Sequence, residues 1–472
     1  MSTGEPWKDI DSIAIRWLQR AWIIGIPAYL LAFAWRFANE RLYADSGYYL
    51  ARVINEGAFH IEHGRWVLAL PELLPLLAVK LGAALPVVIL LHSLGNVLFL
   101  GAAVLFAWRV LDDQRSAMLL VGLHIIGLAH GLFCPVFELY YGVALLVLFL
   151  AVLGSDRFTG AVGMALLLLF FIGAISSHPM TLLLAAGSLV ITRVHWQRST
   201  VLPLLIALIG VVLFRALTMS AYEVAQLSFV QRLAFPWLVL PLFSPSFLLG
   251  QIERVLAHYP DVLATAFFTI SLLFHYRSWR TLFIFVLGLL ALHVLTGLYL
   301  PDPTHDRYRE QVDFGFAAWT LIVAFTAVWP MHERRIALLL LLIVCGAYRI
   351  AHIERIAPLY AARTEWQLGL IEEARTKGMQ KAIIDPQGIT FGTPDDRVAP
   401  YWSTGIECLL LSAKDGPSST ISIITTDDLE CPGVRDHLDK FVFRCWDVLE
   451  PEDLDARYFR LAPGSYAPLP ER

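Results

Sequence analysis

The sequence predicts an all-α polytopic membrane domain of about 11 transmembrane helices, followed by a small C-terminal α/β or α+β domain. Three observations carry this reading. Of 472 residues, 57% are hydrophobic and 16% charged, against about 45–50% and about 25% in soluble proteins; mean hydropathy is +0.62. Charge is unevenly spread: residues 356–472 hold 12 Lys/Arg and 19 Asp/Glu, whereas the 355 residues before them hold only 24 and 21. Apolar stretches of near-span length recur through the first part and stop before the second. The boundary is therefore expected near Arg355, with a membrane domain over 1–355 and a soluble domain over 356–472. The net charge of −4 excludes a strongly basic nucleic-acid binder. Five cysteines without a CxxC pair exclude a disulfide scaffold and offer no zinc signature.

A spanning helix needs roughly 17–25 mostly apolar residues whose backbone groups are satisfied within it. Candidate spans are 18–35, 86–108, 116–132, 136–154, 158–175, 179–195, 200–218, 261–275, 281–300, 314–330 and 336–349. The positive-inside rule orients them. With the N-terminus in the cytoplasm, the short inner turns carry Arg109 and Arg115, Arg157, Arg193 and Arg198, Arg277 and Arg280, and Arg334 and Arg335. The long loops 37–85, 219–260 and 301–313 then fall outside, and so does the C-terminal domain. No cleavable signal peptide is expected, because Glu5, Lys8, Asp9, Asp11 and Arg16 precede an apolar stretch without a small-residue cleavage site.

The alternation requires that 65–85 does not cross the membrane. Pro71 and Pro75 interrupt this segment, and Glu72 and Lys80 lie within it, so an interfacial or re-entrant helix on the outer face is expected. Residues 225–250, with Pro236, Pro241 and Pro245, form a second segment of this kind.

Ionisable groups at membrane depth or against the outer face are functional candidates. The first outer loop gathers Asp45, Glu56, His60, Glu62, His63 and Arg65; the plain alternative is a solvated charged loop. A carboxylate at the mouth of a membrane cavity serves as a general base toward an acceptor hydroxyl or amine. Asp45 stands out through its sequence context. The string ADSGYYLARVINEG, the proline-broken LPELLPLLAVKLGA and then a long apolar span resemble the GT-C superfamily of integral membrane glycosyltransferases. The resemblance implies a first outer loop whose acid is the catalytic base or positions the acceptor, and a polyprenyl-phosphate sugar donor. On this sequence it assigns Asp45 as the loop acid, Tyr48 and Tyr49 as the aromatics after it, and 71–82 as a second juxtamembrane helix. Glu138, in FELYYGVALL, matches an acid at the outer start of the fourth span. Many members carry a second acid beside the first, and here that position is Ser46. A divalent cation wants several oxygen ligands, so transfer without a metal or other cofactor is expected.

Charge developing on the leaving phosphate calls for a cation nearby. The loop PDPTHDRYREQVD offers Arg307 and Arg309 with His305 close by, and arginine suits phosphate bidentately. The competing reading pairs these arginines with Asp302, Asp306, Glu310 and Asp313 in an ordinary charged loop. Glu56, His63, Arg65, Glu138 and His178 complete the candidate substrate cavity, with His178 at an outer turn in SSHPM, where a structural role competes. His60 and His63 with Glu56 and Glu62 do not have the spacing of a familiar zinc motif.

In the tail, 366–379 reads as an amphipathic helix and 381–385, 407–412, 420–426 and 440–444 as strands. It lacks a Gly-rich phosphate loop and a nucleophile elbow, so a lid, docking surface or acceptor-recognition module is expected. Cys408, Cys431 and Cys445 allow at most one internal disulfide. The expected function is transfer of a sugar from a polyprenyl-phosphate donor to a glycan, lipid or protein acceptor at the outer face of a bacterial plasma membrane. Rival readings are a lipid-linked glycan polymerase or ligase, or a non-catalytic transporter or assembly protein of a cell-surface polysaccharide system.

Overall fold

The computed structural model describes residues 15–192, 198–220, 223–224, 236–299, 306–331, 334–386, 391, 398, 402–444 and 447–470, with only the backbone of 198–199, 236, 238, 299 and 306–308. Among them, seven helices are long and apolar enough to cross a membrane, or eight if one bent pair counts as a single span. In chain order the principal helices are α1 (Ile15–Arg36), α2 (Asp45–Glu56), α3 (Ala69–Lys80), α4 (Leu85–Val110), α5 (Gln114–Leu123), α6 (Glu138–Leu153) and α7 (Gly160–Ser177). They continue with α8 (Pro179–Thr192), α9 (Arg198–Thr218), α10 (Pro245–His258), α11 (Pro260–His275), α12 (Trp279–Tyr299), α13 (Asp306–Val323) and α14 (Arg335–Thr376).

Burial divides these helices by position. The window Arg309–Val328, covering most of α13, is 72% buried, whereas Thr200–Thr218 in α9 is 6% buried. The first is the centre of the bundle and the second presents leucine and valine outward, as a helix against lipid does. α6 and α8, though apolar, are shorter than eighteen residues.

Local signals explain the breaks. α3 has twelve residues and contains Pro75, so it is too short to span, and it packs along α4. Gly57 ends α2 in the left-handed conformation at φ 56°, which glycine adopts without steric cost. α10 opens on Pro245, with the Ser244 side chain accepting a hydrogen bond from the Phe247 N–H; it then bends by 107° into α11, where Pro260 starts a new first turn.

Three expectations need correction. The apolar run 116–132 is not one helix: α5 ends at Leu123, and an irregular stretch leads to a 3₁₀ turn at His130–Phe133. The carboxylate of Glu310 accepts from the N–H groups of Ala129, His130 and Gly131 at 3.0, 3.1 and 2.6 Å, and Asp261 accepts from Gly127 at 2.9 Å. Side chains thus satisfy a backbone that leaves the helix inside the protein. The stretch 336–349 is only the start of α14, a 42-residue helix that passes through Arg355 without a break. Residues 407–412 are helical: α15 spans Thr404–Ser412 with all nine residues buried. A short, fully buried apolar run has no periodicity with which to tell strand from helix.

The C-terminal part holds a parallel three-stranded sheet in the order β2 (Ser422–Thr425), β1 (Lys381–Ile384), β5 (Ala467–Pro468). β3 (Phe441–Arg444) and β4 (Asp447–Leu449) form a separate antiparallel pair. α15 packs on β2, on α14 and on α2, which brings the end of the chain onto the first loop. Cys431 is disulfide-bonded, and Cys134, Cys345 and Cys408 are buried free thiols.

Candidate active site

Asp45 is the first residue of α2, where the helix dipole favours a carboxylate. Its neighbour Ala44 has φ 54° and ψ −124°, and its N–H donates to Glu407 Oε1 at 2.8 Å. Glu407 is itself buried against Arg363, Gln367 and Ser403. The turn that presents Asp45 is thereby held by a residue more than 360 positions away. Gly47 is required close by, because a Cβ there would meet Leu42 O at 2.5 Å. Ser46 Oγ donates to Arg41 O at 2.5 Å and lies 2.8 Å from His92 Nε2, so it faces into the protein.

Asp45 lines a cavity of about 540 Å³ together with Tyr49, Glu62, His63, Arg65 and Glu138. His178, Gln311, Trp402 and Arg444 complete its polar and aromatic wall. Seven residues singled out from the sequence, Asp45, Tyr49, Glu62, His63, Arg65, Glu138 and His178, therefore meet around one space. Glu56 does not line it; at the end of α2 it accepts from His60 Nδ1 at 3.1 Å and lies 3.6 Å from Arg52. Arg309 does not line it either. It is buried, 3.6 Å from Asp313 and donating to Gln251 Oε1 at 2.9 Å. His305 and the Arg307 side chain lie outside the described residues.

Two residues that enclose the space, Trp402 and Arg444, are not marked by the sequence. Arg444, at the end of β3, stacks its guanidinium 3.3 Å from the Tyr48 ring centroid and 5.1 Å from that of Trp402, close enough for cation–π attraction. It also lies 3.3 Å from Glu62 Oε1. No spacing in the sequence ties an arginine at a strand end, far downstream of the first loop, to the same site; its place comes from the packing of α15 on α2.

The electrostatics keep acids and cations charged side by side. Burial opposes ionisation of Glu62, but His60, Arg444 and His63 outweigh it and hold the carboxyl down at about 2. Both phenols beside it, Tyr48 and Tyr49, donate to Glu62 at 3.0 Å. Burial likewise opposes the charged imidazole of His60, yet Glu56 and Glu62 hold it up at about 9. His63 is pushed below its usual range by burial and by Arg65, so it is neutral at pH 7. Burial disfavours the Arg65 cation, but Glu138 keeps it charged through a 2.6 Å hydrogen bond. Glu72 behind the loop is pushed up to about 8 by burial, and its Oε2 accepts from the His60 N–H at 2.8 Å. Among the described residues no group of three or more His, Cys, Asp or Glu side chains is arranged to hold a metal ion.

The wall therefore offers the Asp45 carboxylate at a helix start, the guanidinium groups of Arg65 and Arg444 beside the carboxylates of Glu138 and Glu62, two imidazoles and aromatic rings. Such a set holds an anion, presents a flat ring to a sugar face, and accepts a proton. No protein-family model, curated protein or solved structure matches the chain.

Proposed function

We propose that this chain is an integral membrane glycosyltransferase that moves a sugar from a polyprenyl-phosphate donor to a hydroxyl of a glycan, lipid or protein acceptor. The observation that carries this reading is the meeting of Asp45, Arg65 and Arg444 around one cavity beside Trp402. In the proposed reaction the acceptor oxygen attacks the anomeric carbon while its proton passes to Asp45. The bond from that carbon to the donor phosphate oxygen breaks, and polyprenyl phosphate leaves with the electron pair. Arg65 and Arg444 face the phosphate as charge develops on it. This moves the donor-phosphate role away from Arg309, which does not line the cavity; His305 and the Arg307 side chain lie outside the described residues.

The outer-face orientation is part of the same proposal. It is supported by a coincidence of two independent readings: the cavity residues Asp45 to Arg65, Glu138, His178 and Arg444 all belong to segments that the arginine-bearing short turns assign to the outside. The eleven-span count belongs to this proposal too, with α6, α8 and α11 as short spans and α5 with the irregular stretch to His130–Phe133 as a broken one.

The test compares wild type with Asp45→Asn, both folded, in liposomes with a panel of polyprenyl-phosphate sugars and a membrane extract as acceptor source. Release of polyprenyl phosphate by wild type, reduced about 10²–10⁴-fold in the variant as loss of a general base implies, is the expected result. Equal release by both removes Asp45 from the mechanism. Transport of an intact lipid-linked glycan without release overturns the transferase reading.

A further inference from the structure

A second cavity, of about 470 Å³, shares no lining residue with the first and is walled by α10, α11, α12 and α13. Its wall is almost wholly apolar, with Val262, Leu263, Ala266, Leu289 and Leu290 among the contributors. Leu263 and Leu290 are 40% and 46% exposed, so in a membrane-spanning chain the groove opens toward lipid. One charged group stands out in it. Arg254 is 13% exposed and gives Nη2 to Asp313, while its Nε and Nη1 are buried with no hydrogen-bond partner. A guanidinium carries five donors and cannot shed its charge, so two N–H groups buried without a partner on a residue that lines an apolar groove mark a missing acceptor.

The depth of Arg254 says what kind of acceptor this is. α10 exposes Leu249, Ile252 and Leu256 along one face, a helical stripe suited to lying in the membrane interface, before the chain turns by 107° into α11. A cation on such a helix sits at headgroup level, with the groove between α11 and α12 leading away from it. Of the other polar groups of the groove, Asp313 accepts from Arg254, Gln251 Oε1 accepts from Arg309 and His293 Nε2 lies 3.0 Å from Leu242 O, while the Thr320 hydroxyl is buried without a partner and carries no charge. No uncommitted base stands among the described residues there to carry out transfer.

We infer that this groove is a binding site for an anionic glycerophospholipid of the bilayer, its phosphate on Arg254 and an acyl chain along Leu263 and Leu290. The site is independent of the transferase reading, since it uses none of the cavity residues around Asp45.

The experiment uses the full-length protein purified in neutral detergent and stripped of lipid. Binding of phosphatidylglycerol, phosphatidylcholine and undecaprenyl phosphate is measured by native mass spectrometry and by the melting temperature. Wild type is expected to retain phosphatidylglycerol at least about tenfold more tightly than phosphatidylcholine, and to melt higher with it. Arg254→Gln is expected to lose that preference. Ala266→Trp, which fills the groove with Arg254 intact, is expected to lose binding as well, and it serves as the test if the first variant does not fold. Asp45→Asn binds as wild type does. Equal retention of the two phospholipids, or undiminished binding in Ala266→Trp, overturns the proposal. Stronger retention of undecaprenyl phosphate overturns it too, because the groove then belongs to the sugar donor.

Discussion

Ala44 places a non-glycine side chain at φ 54° and ψ −124°, a region where such residues cost about 1–3 kcal/mol. What holds it there is Glu407, and Glu407 is in turn held by Arg363, which is 2% exposed. Ala44→Gly relieves the strain but returns about 0.5–1 kcal/mol of chain entropy to the unfolded state, so a net gain of up to about 2 kcal/mol in stability is expected, read as a rise in melting temperature. If the proposed transfer depends on this strained turn to aim Asp45, that more stable variant transfers sugar more slowly. Glu407→Ala leaves Arg363 buried without its carboxylate and is expected to destabilise the fold by about 3–5 kcal/mol. Replacing both partners by methionine removes the uncompensated charge and should recover most of that loss, which a double-mutant cycle measures. A double variant as unstable as Glu407→Ala would show that the pair is not the origin of the effect.

At the scale of elements, the loop between α2 and α3 is tied by ionisation. His60, held up at about 9, contributes stability that is full below about 6.5 and lost as the pH rises to about 9. Glu62, held down at about 2, contributes above about 4.5 and loses its share as the pH falls toward 2. The interaction is therefore greatest between about pH 4.5 and 6.5. His60→Gln is expected to cost about 1–3 kcal/mol in that window, with the gap to wild type closing by about pH 9, as traced by thermal melts across pH. Glu72, pushed up to about 8, is preferred in its neutral form, so its contribution also fades between about pH 4.5 and 8; Glu72→Gln should remove that part of the alkaline loss. Legibility differs by element for a physical reason. α1, α4, α7 and α12 are readable because a lipid-facing helix must be continuously apolar, and α3 because two prolines and two charges break such a run. The end of α5 at Leu123 is not readable, since what permits it is Glu310 on α13, far along the chain. α15 passes for a strand because complete burial erases the alternation on which the distinction rests. Asp45, Arg65 and Glu138 can be found because charges beside apolar spans are conspicuous, whereas Arg444 stands among many charges in a polar segment.

For the whole molecule, the C-terminal part is built into the site instead of hanging from it. Lys414 donates to Asn39 at 2.9 Å, the Asp455 N–H to Asn55 at 2.7 Å, and the Tyr458 hydroxyl to Ala83 O at 2.9 Å, while Arg52 on α2 pairs with Asp447. These bonds run along α2 and the loop after α3, so both parts must lie on the same side of the membrane. That gives a topological prediction independent of any substrate. A cysteine introduced at Ser418 should react with a membrane-impermeant maleimide added to intact cells, as should one at Glu56. A cysteine at Asp112, in a short arginine-bearing turn, should react only after permeabilisation. These probes belong in a background where Cys134, Cys345 and Cys408, which are buried, remain in place as unreactive controls. Labelling of Asp112 in intact cells, with Ser418 and Glu56 reacting only after permeabilisation, would invert the proposed orientation, and with it the leaflet that serves the proposed transfer. Labelling of Ser418 and Asp112 from the same side would overturn the alternation of spans on which that orientation rests. Because positions 56 and 418 are joined through one packed interface, opposite labelling of those two would mean that the packing of the C-terminal part on α2 is absent in the membrane. Trp402, Arg444 and Glu407 would then be lost to the Asp45 cavity together, and Arg444→Ala would leave the proposed sugar transfer unchanged, whereas the packed arrangement predicts its loss.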